Sequence, residues 1–382
     1  MTEDVMRVAE ASAKDPGAAA SLAAALGSGP FALVMVFVSP QADVAGIMRD
    51  LTRDLAPAPV IGCTTAGEIG TQGYSEGLIV ATALPQNLFR AETLLIRSLQ
   101  KLDAQEVTSA VIRARGGLAQ TVPDWPHEFA FLMVDGLSTK EDALTSALSP
   151  GLGAVPLFGG SAADGTRFLE TFVFCDGEML RNAAVLAVVR TRCPVRVFKF
   201  DHFRPTAQRM VVTGADPSRR LVQSINAEPA AQEYARLLGK DPGQLTPFTF
   251  AAHPVVVRLG GQHHVRSIRQ VDENGDLVFY SAIDEGLVLT LAEPLDIEAH
   301  LAGEFAALAR PDAPRAILAC DCVLRRMEVQ EKQLTGRMSQ LMRAHKVTGF
   351  STYGEQLNAM HVNQTLTGVA IYAPDPTQAG AR

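Results

Sequence analysis

The chain has 382 residues, of which 47% are hydrophobic and 20% charged, and it carries a formal net charge of −7. That length exceeds one ordinary core and predicts two domains, while the composition excludes a disordered chain. The acidic balance excludes nucleic acid as a partner and argues against adsorption to a membrane surface.

Residues 1–15 (MTEDVMRVAEASAKD) are polar and acidic and lack the basic and apolar regions of a signal peptide. Apolar runs such as FALVMVFV have strand length, far short of the roughly 20 residues that cross a bilayer. The expectation is a cytoplasmic protein. The Ala-rich stretch 15–29 predicts a helix, so residues 1–30 read as an N-terminal helical extension. Residues 31–40 predict a buried strand, 41–55 a helix, and 58–63 a strand that feeds a turn. Residues 77–84 and 88–96 read as two strands of a hairpin, and 101–117 as an amphipathic helix stopped by glycines. In 128–148 a strand ends at Asp135-Gly136, Ser138 is placed to cap a helix, and Glu141 holds the capping-box position. Three strands are predicted in succession over 168–175, 182–190 and 194–203.

After Arg219 the pattern changes to a strand and helix over 221–239 and a meander with an Asn274-Gly275 hairpin turn. A helix (295–310), a strand (315–322), one long amphipathic helix (324–345) and closing strands follow. The fold class is α/β (mixed α+β): two packed domains, 31–219 and 220–373, each with a mixed sheet covered by helices.

The stretch GCTTAGE (62–68) returns as GFSTYGE (349–355). Both read G-x-[Ser/Thr]-Thr-x-Gly-Glu after a short apolar strand. The first glycine permits close approach or a positive φ, and the hydroxyls and freed N–H groups suit an anion or polar ligand. A glutamate there either binds a cationic group or anchors the turn. FGGSAADG (158–165) is a degenerate third version with Asp164 as its acid. Equivalent turns in related halves would meet at an interdomain cleft, a favoured ligand site. Candidate ligand-binding residues are Thr64, Thr65, Glu68, Ser351, Thr352 and Glu355. The five cysteines lack framework spacing and read as free thiols. Cys63 in the first turn is matched by Phe350 in the second, which argues against a shared nucleophile. With no nucleophile elbow, P-loop or zinc-protease motif, the chain does not read as an enzyme.

The ordered set PVIGCTTAGEI, LFGGSAADG, INAEPAAQEYARLLG, GFSTYGEQ and HVNQTLTGVAI resembles the FIST domain, with its N part over 31–219 and its C part over 220–373. The resemblance implies a bacterial sensory protein that binds a small ligand, amino acids being proposed for the family. It also implies, for the NosP-type subgroup, bound haem b, nitric oxide sensing, and modulation of a histidine kinase or cyclic-di-GMP enzyme. On that reading His202, in VRVFKFDHFRP, is the candidate haem-iron ligand, with Phe203 as a wall and Arg204 for a propionate. His361, in HVNQT, is the runner-up. The alternative is an amino acid or other small polar ligand held by Glu68 and Glu355 at the interdomain cleft. Oligomeric state, a homo-oligomer included, is left open.

Overall fold

The computed structural model describes residues 4–259 and 261–374. Its body is one β/α pattern used three times. Unit one runs through an edge strand (Arg7–Ser12), a helix (Ala18–Leu26), a strand (Phe31–Val38), a helix (Val44–Asp54) and a second strand (Val60–Thr64) parallel to the first. A turn, a short hairpin (Glu68–Gly70, Gly73–Ser75) and a return strand (Leu78–Pro85) complete it. Unit two repeats this with Phe89–Ile96, Ala104–Thr121, His127–Val134, Glu141–Leu152, Leu157–Ser161, the hairpin Val173–Cys175 and Glu178–Leu180, and Ala184–Thr191. Unit three uses Val195–Phe200, Ile297–Leu308, Ala316–Cys322, two helices, Val347–Thr352, the hairpin Glu355–Leu357 and Met360–Val362, and Leu366–Ile371.

Each unit builds a mixed sheet and hands its hairpin to another. The hairpin of unit one extends the sheet of unit three, that of unit three extends unit two, and that of unit two extends unit one. This cyclic exchange gives three six-stranded sheets of matching strand order. Their inner faces share one apolar core. At its centre Phe37 of unit one stacks on Phe350 of unit three at 4.5 Å and meets Phe131 of unit two edge-on at 6.3 Å. The outer faces are covered by the helices of each unit. Burial on both faces is why the parallel strands read as unbroken apolar runs. Aspartates start several helices: Asp43 accepts from Gly46 N–H at 3.1 Å, and Asp296 from Ala299 N–H at 2.8 Å.

Between the edge strand and the first helix of unit three lies an inserted antiparallel sheet, built around the long strand Phe203–Asp216 and backed by helices Ala230–Leu238 and Pro247–Ala252. Its stem is closed where Leu295 N–H donates to the His202 carbonyl at 2.7 Å.

The α/β class with mixed sheets covered by helices is as expected. Several elements differ. Residues 7–12, placed in a helical extension, form a strand paired with the return strand of unit one. The strands at 78–85 and 89–96 do not form a hairpin; they belong to different sheets, packed across the shared core. The helix from Ala104 runs through Gly116 and Gly117 to Thr121, because its buried stripe continues to Leu118. The long helix predicted over 324–345 is two, Val323–Glu331 and Thr335–Ala344. It ends in paired bonds, Leu334 N–H to Val329 O and Gln333 N–H to Gln330 O, with Gln333 at φ 56°. Glycine is the usual residue at that left-handed position, so the stop had no sequence signal. The capping box at Ser138 does not form; Glu141 turns instead to Arg220 of the inserted sheet.

Candidate functional site

The two signature turns are two of three. Gly62, Gly159 and Gly349 occupy equivalent register positions beside Val36, Leu132 and Ala319. A Cβ on them would lie 2.3, 2.2 and 1.8 Å from those neighbours' carbonyl oxygens, so side chains are excluded by close approach. The turns then bond in a ring. Ala66 N–H donates to Ser351 O at 2.9 Å, Tyr353 N–H to Ser161 O at 3.2 Å, and Ala163 N–H to Thr64 O at 2.9 Å. Ala66, Ala163 and Tyr353 converge in one apolar cluster at this apex. The degenerate sequence at 158–165 is therefore the third member of a cycle.

All six predicted turn residues are brought together here, and all are buried. Thr65 donates to Glu68 Oε1 at 2.5 Å, and Leu78 N–H donates to Oε2 at 3.1 Å. Thr352 likewise donates to Glu355, which also accepts from Thr365 N–H at 3.2 Å and Thr365 Oγ1 at 2.7 Å. Each carboxyl thus latches its turn to the start of its own return strand. Burial raises both, Glu68 to about 7 and Glu355 to about 8, against the pull of those hydrogen bonds. At Asp164 the Tyr353 hydroxyl and the N–H groups of Phe168, Leu169 and Glu170 outweigh burial and hold the carboxyl below its usual value. Thr64 accepts from Phe172 N–H at 3.1 Å, and Ser351 Oγ accepts from Arg326 at 3.3 Å. These side-chain hydrogen bonds of Thr65, Glu68, Thr352 and Glu355 all hold the turns and their return strands.

His202 lies elsewhere, in the stem of the inserted sheet. Its Nε2 meets Glu328 at 2.9 Å and its Nδ1 meets Arg325 at 3.0 Å, and it is fully buried. Arg325 also holds Asp321 at 2.9 Å, and Tyr74 donates to Asp321 at 2.5 Å. Phe203 packs on the imidazole at 4.3 Å, whereas Arg204 points to solvent and pairs with Glu293. Both ring nitrogens being engaged, this group offers haem iron no free donor, and Arg204 does not face the imidazole's cluster. The haem-binding set does not fit as arranged.

His361 sits beside the third-unit turn, in the seam between the body and the inserted sheet. A Cβ on Gly354 (φ 157°) would touch its Cε1 at 2.4 Å. Gln356 Nε2 lies 3.3 Å from its Nδ1, and Asn363 Nδ2 lies 3.5 Å from its Nε2. Burial lowers its pKa and keeps the ring neutral. Three oxygens of the seam, Gln356 Oε1, Asn363 Oδ1 and Ser281 Oγ, are buried without a partner among the described residues. Arg266 reaches in from the inserted sheet and donates to the carbonyls of Val265 at 3.2 Å and His361 at 3.3 Å. It is 7% exposed, and among the described residues it makes no ion pair; Asp142 acts on it only from a distance. Elsewhere the seam is closed by Arg220 on Glu141, Ser267 on Gln364 at 2.9 Å, and Gln364 on the Ala251 carbonyl at 2.7 Å.

The FIST N domain matches residues 32–228 of this chain, and the FIST C domain matches residues 230–358. The chain belongs to the FIST family. Among curated proteins compared with it, nothing matches. FIST domains are sensory, ligand-binding modules, and membership indicates a small-ligand sensor in signal transduction. In this FIST protein no helix of the described residues is long and apolar enough to cross a membrane. The third unit's turn lies at the end of the FIST C match and His361 three residues beyond it, while Arg266 falls within the match. Sequence reasoning missed Arg266, Gln356, Asn363 and Ser281. QEYARLLG and HVNQT stood out, but an arginine in a strand, HHVRSIR, gives no sign that folding will bury it without a carboxylate.

Proposed function

We propose that this FIST protein senses a small polar ligand bearing a carboxylate, such as an amino acid, in the seam between the inserted sheet and the three-unit body. The observation that carries this reading is Arg266: a buried guanidinium with no carboxylate partner among the described residues, bonded to the carbonyl of His361, whose ring faces the amides of Gln356 and Asn363, both with oxygens left without donors. A buried cation without its counter-charge costs several kcal/mol, and so does each polar atom left dry. A ligand carboxylate would answer the first, and an ammonium or hydroxyl on the same molecule would answer the second. The seam joins two bodies through one stem, so a ligand that binds its closed form better shifts their relative position. A partner signalling protein such as a histidine kinase or cyclic-di-GMP enzyme would read that shift.

Haem-dependent nitric oxide sensing would require His202 to release Glu328 or Arg325, freeing one ring nitrogen for iron. Two measurements separate the readings. The protein purified from haem-supplied cells is expected to show no Soret band, with or without nitric oxide; a band lost in His202→Ala would overturn the polar-ligand reading. In thermal shift against the twenty amino acids, a hit that stabilises the native chain and fails with Arg266→Met supports it.

A further inference from the structure

A different feature lies at the opposite end of the body, where the parallel strands begin. In unit three the loop 310–315, the loop 344–346 and the start of the edge strand enclose a cleft of about 750 Å3. Four cations line it, Arg196, Arg310, Arg315 and Lys346, against one carboxylate, Asp312. That leaves +3 (four minus one) in a chain whose formal net charge is −7. All four cations are exposed, and among the described residues none makes an ion pair. His345, also in the lining, rests on Phe305 at 4.8 Å and is held neutral by burial.

The threefold pattern supplies an internal comparison. Unit one has a cleft in the equivalent place, about 500 Å3, between the loops 27–32 and 54–59. Its charged groups are Asp54 and Arg90, and both are engaged: Asp54 with Arg53 at 2.8 Å, and Arg90 with the Phe89 carbonyl at 2.9 Å and over the Trp125 ring. The architecture thus makes the hollow without making it basic. The collected positive charge belongs to unit three alone of these two, and gathering like charges works against stability unless an anion is bound.

We propose that this cleft binds a small phosphorylated molecule, with Arg196, Arg310, Arg315 and Lys346 as the phosphate-binding groups. Its volume lies within the range of small-molecule sites. A di- or triphosphate matches the surplus charge, whereas a monocarboxylate neutralises only a third of it. Guanidinium forks suit phosphate oxygens bidentately. A nucleic acid backbone is disfavoured by the concave site and by the acidic whole. The site is independent of the seam, which lies by the C-terminal ends of the same strands.

The test is calorimetric titration of the full chain with inorganic pyrophosphate. Binding at one site per chain is expected, weakening as salt rises, and Arg315→Ala with Lys346→Ala should reduce affinity at least about tenfold, the effect of losing one charge-assisted contact. Arg53→Ala, at the foot of unit one, should leave it unchanged. Lys346→Glu alone is the second variant, should the double variant fail to fold. No heat with pyrophosphate, undiminished affinity in the Arg315 and Lys346 variants, or citrate binding as tightly as pyrophosphate would each overturn the assignment.

Discussion

Replacing Glu355 by glutamine tests whether the apex carboxyls are latches held in their protonated form. Burial lifts Glu355 from the usual 4.5 to about 8, against the Thr352 and Thr365 hydrogen bonds. The folded chain therefore keeps this proton up to about pH 8, while the unfolded chain loses it near 4.5. Between those values the native state binds more protons, so stability falls as pH rises, by about 1.4 kcal/mol per pH unit. The contribution is complete below the unfolded value and gone above the folded one. From about pH 5 to about pH 7 it amounts to about 3 kcal/mol. Glutamine cannot titrate, and its amide can accept from Thr365 N–H while donating to the Thr352 hydroxyl oxygen. Glu355→Gln should thus flatten the profile by that slope. The buried imidazoles of His202, His264 and His361 act in the opposite sense. Burial lowers their pKa values, His264 to about 4, so they cost stability as pH falls. The quantity to read is therefore the variant-minus-parent difference in urea unfolding, followed by circular dichroism across this range. A difference that does not change with pH would refute the protonated-latch account.

Further outcomes follow from the same geometry. Glu68→Gln should show the same difference in a narrower window, ending near pH 7, where Glu68 titrates. Gly349→Ala would push a Cβ onto the Ala319 carbonyl at 1.8 Å and should cost about 3 kcal/mol or more, read as a lowered urea midpoint. Gly116→Ala, in an exposed helical position with nothing within 4 Å, should instead stabilise by about 0.5–1 kcal/mol in the same assay.

The architecture of the apex was half legible in the sequence. Two turns share five of seven positions, counting Thr64 against Ser351, because the same close approach and the same carboxyl latch act in units one and three. Unit two keeps the glycine and the small residues but moves its acid to Asp164, which serves a longer loop. It therefore read as a degenerate copy, and two halves were inferred where three units close a ring. The role of the glutamates was legible only as a choice between ligand contact and turn anchor; burial and their partners in the return strands select the anchor.

By itself, the sequence determined the α/β class, the buried strands, most helices and the glycine-bracketed turns, because period, capping and steric exclusion act over a few residues. Tertiary structure alone decided which sheet each hairpin joins, that Arg266 is buried beside His361 without a counter-charge among the described residues, and that His202 is pinned by Glu328 and Arg325. Those outcomes depend on contacts between residues scores of positions apart, where pairing is settled by shared burial and not by any local pattern.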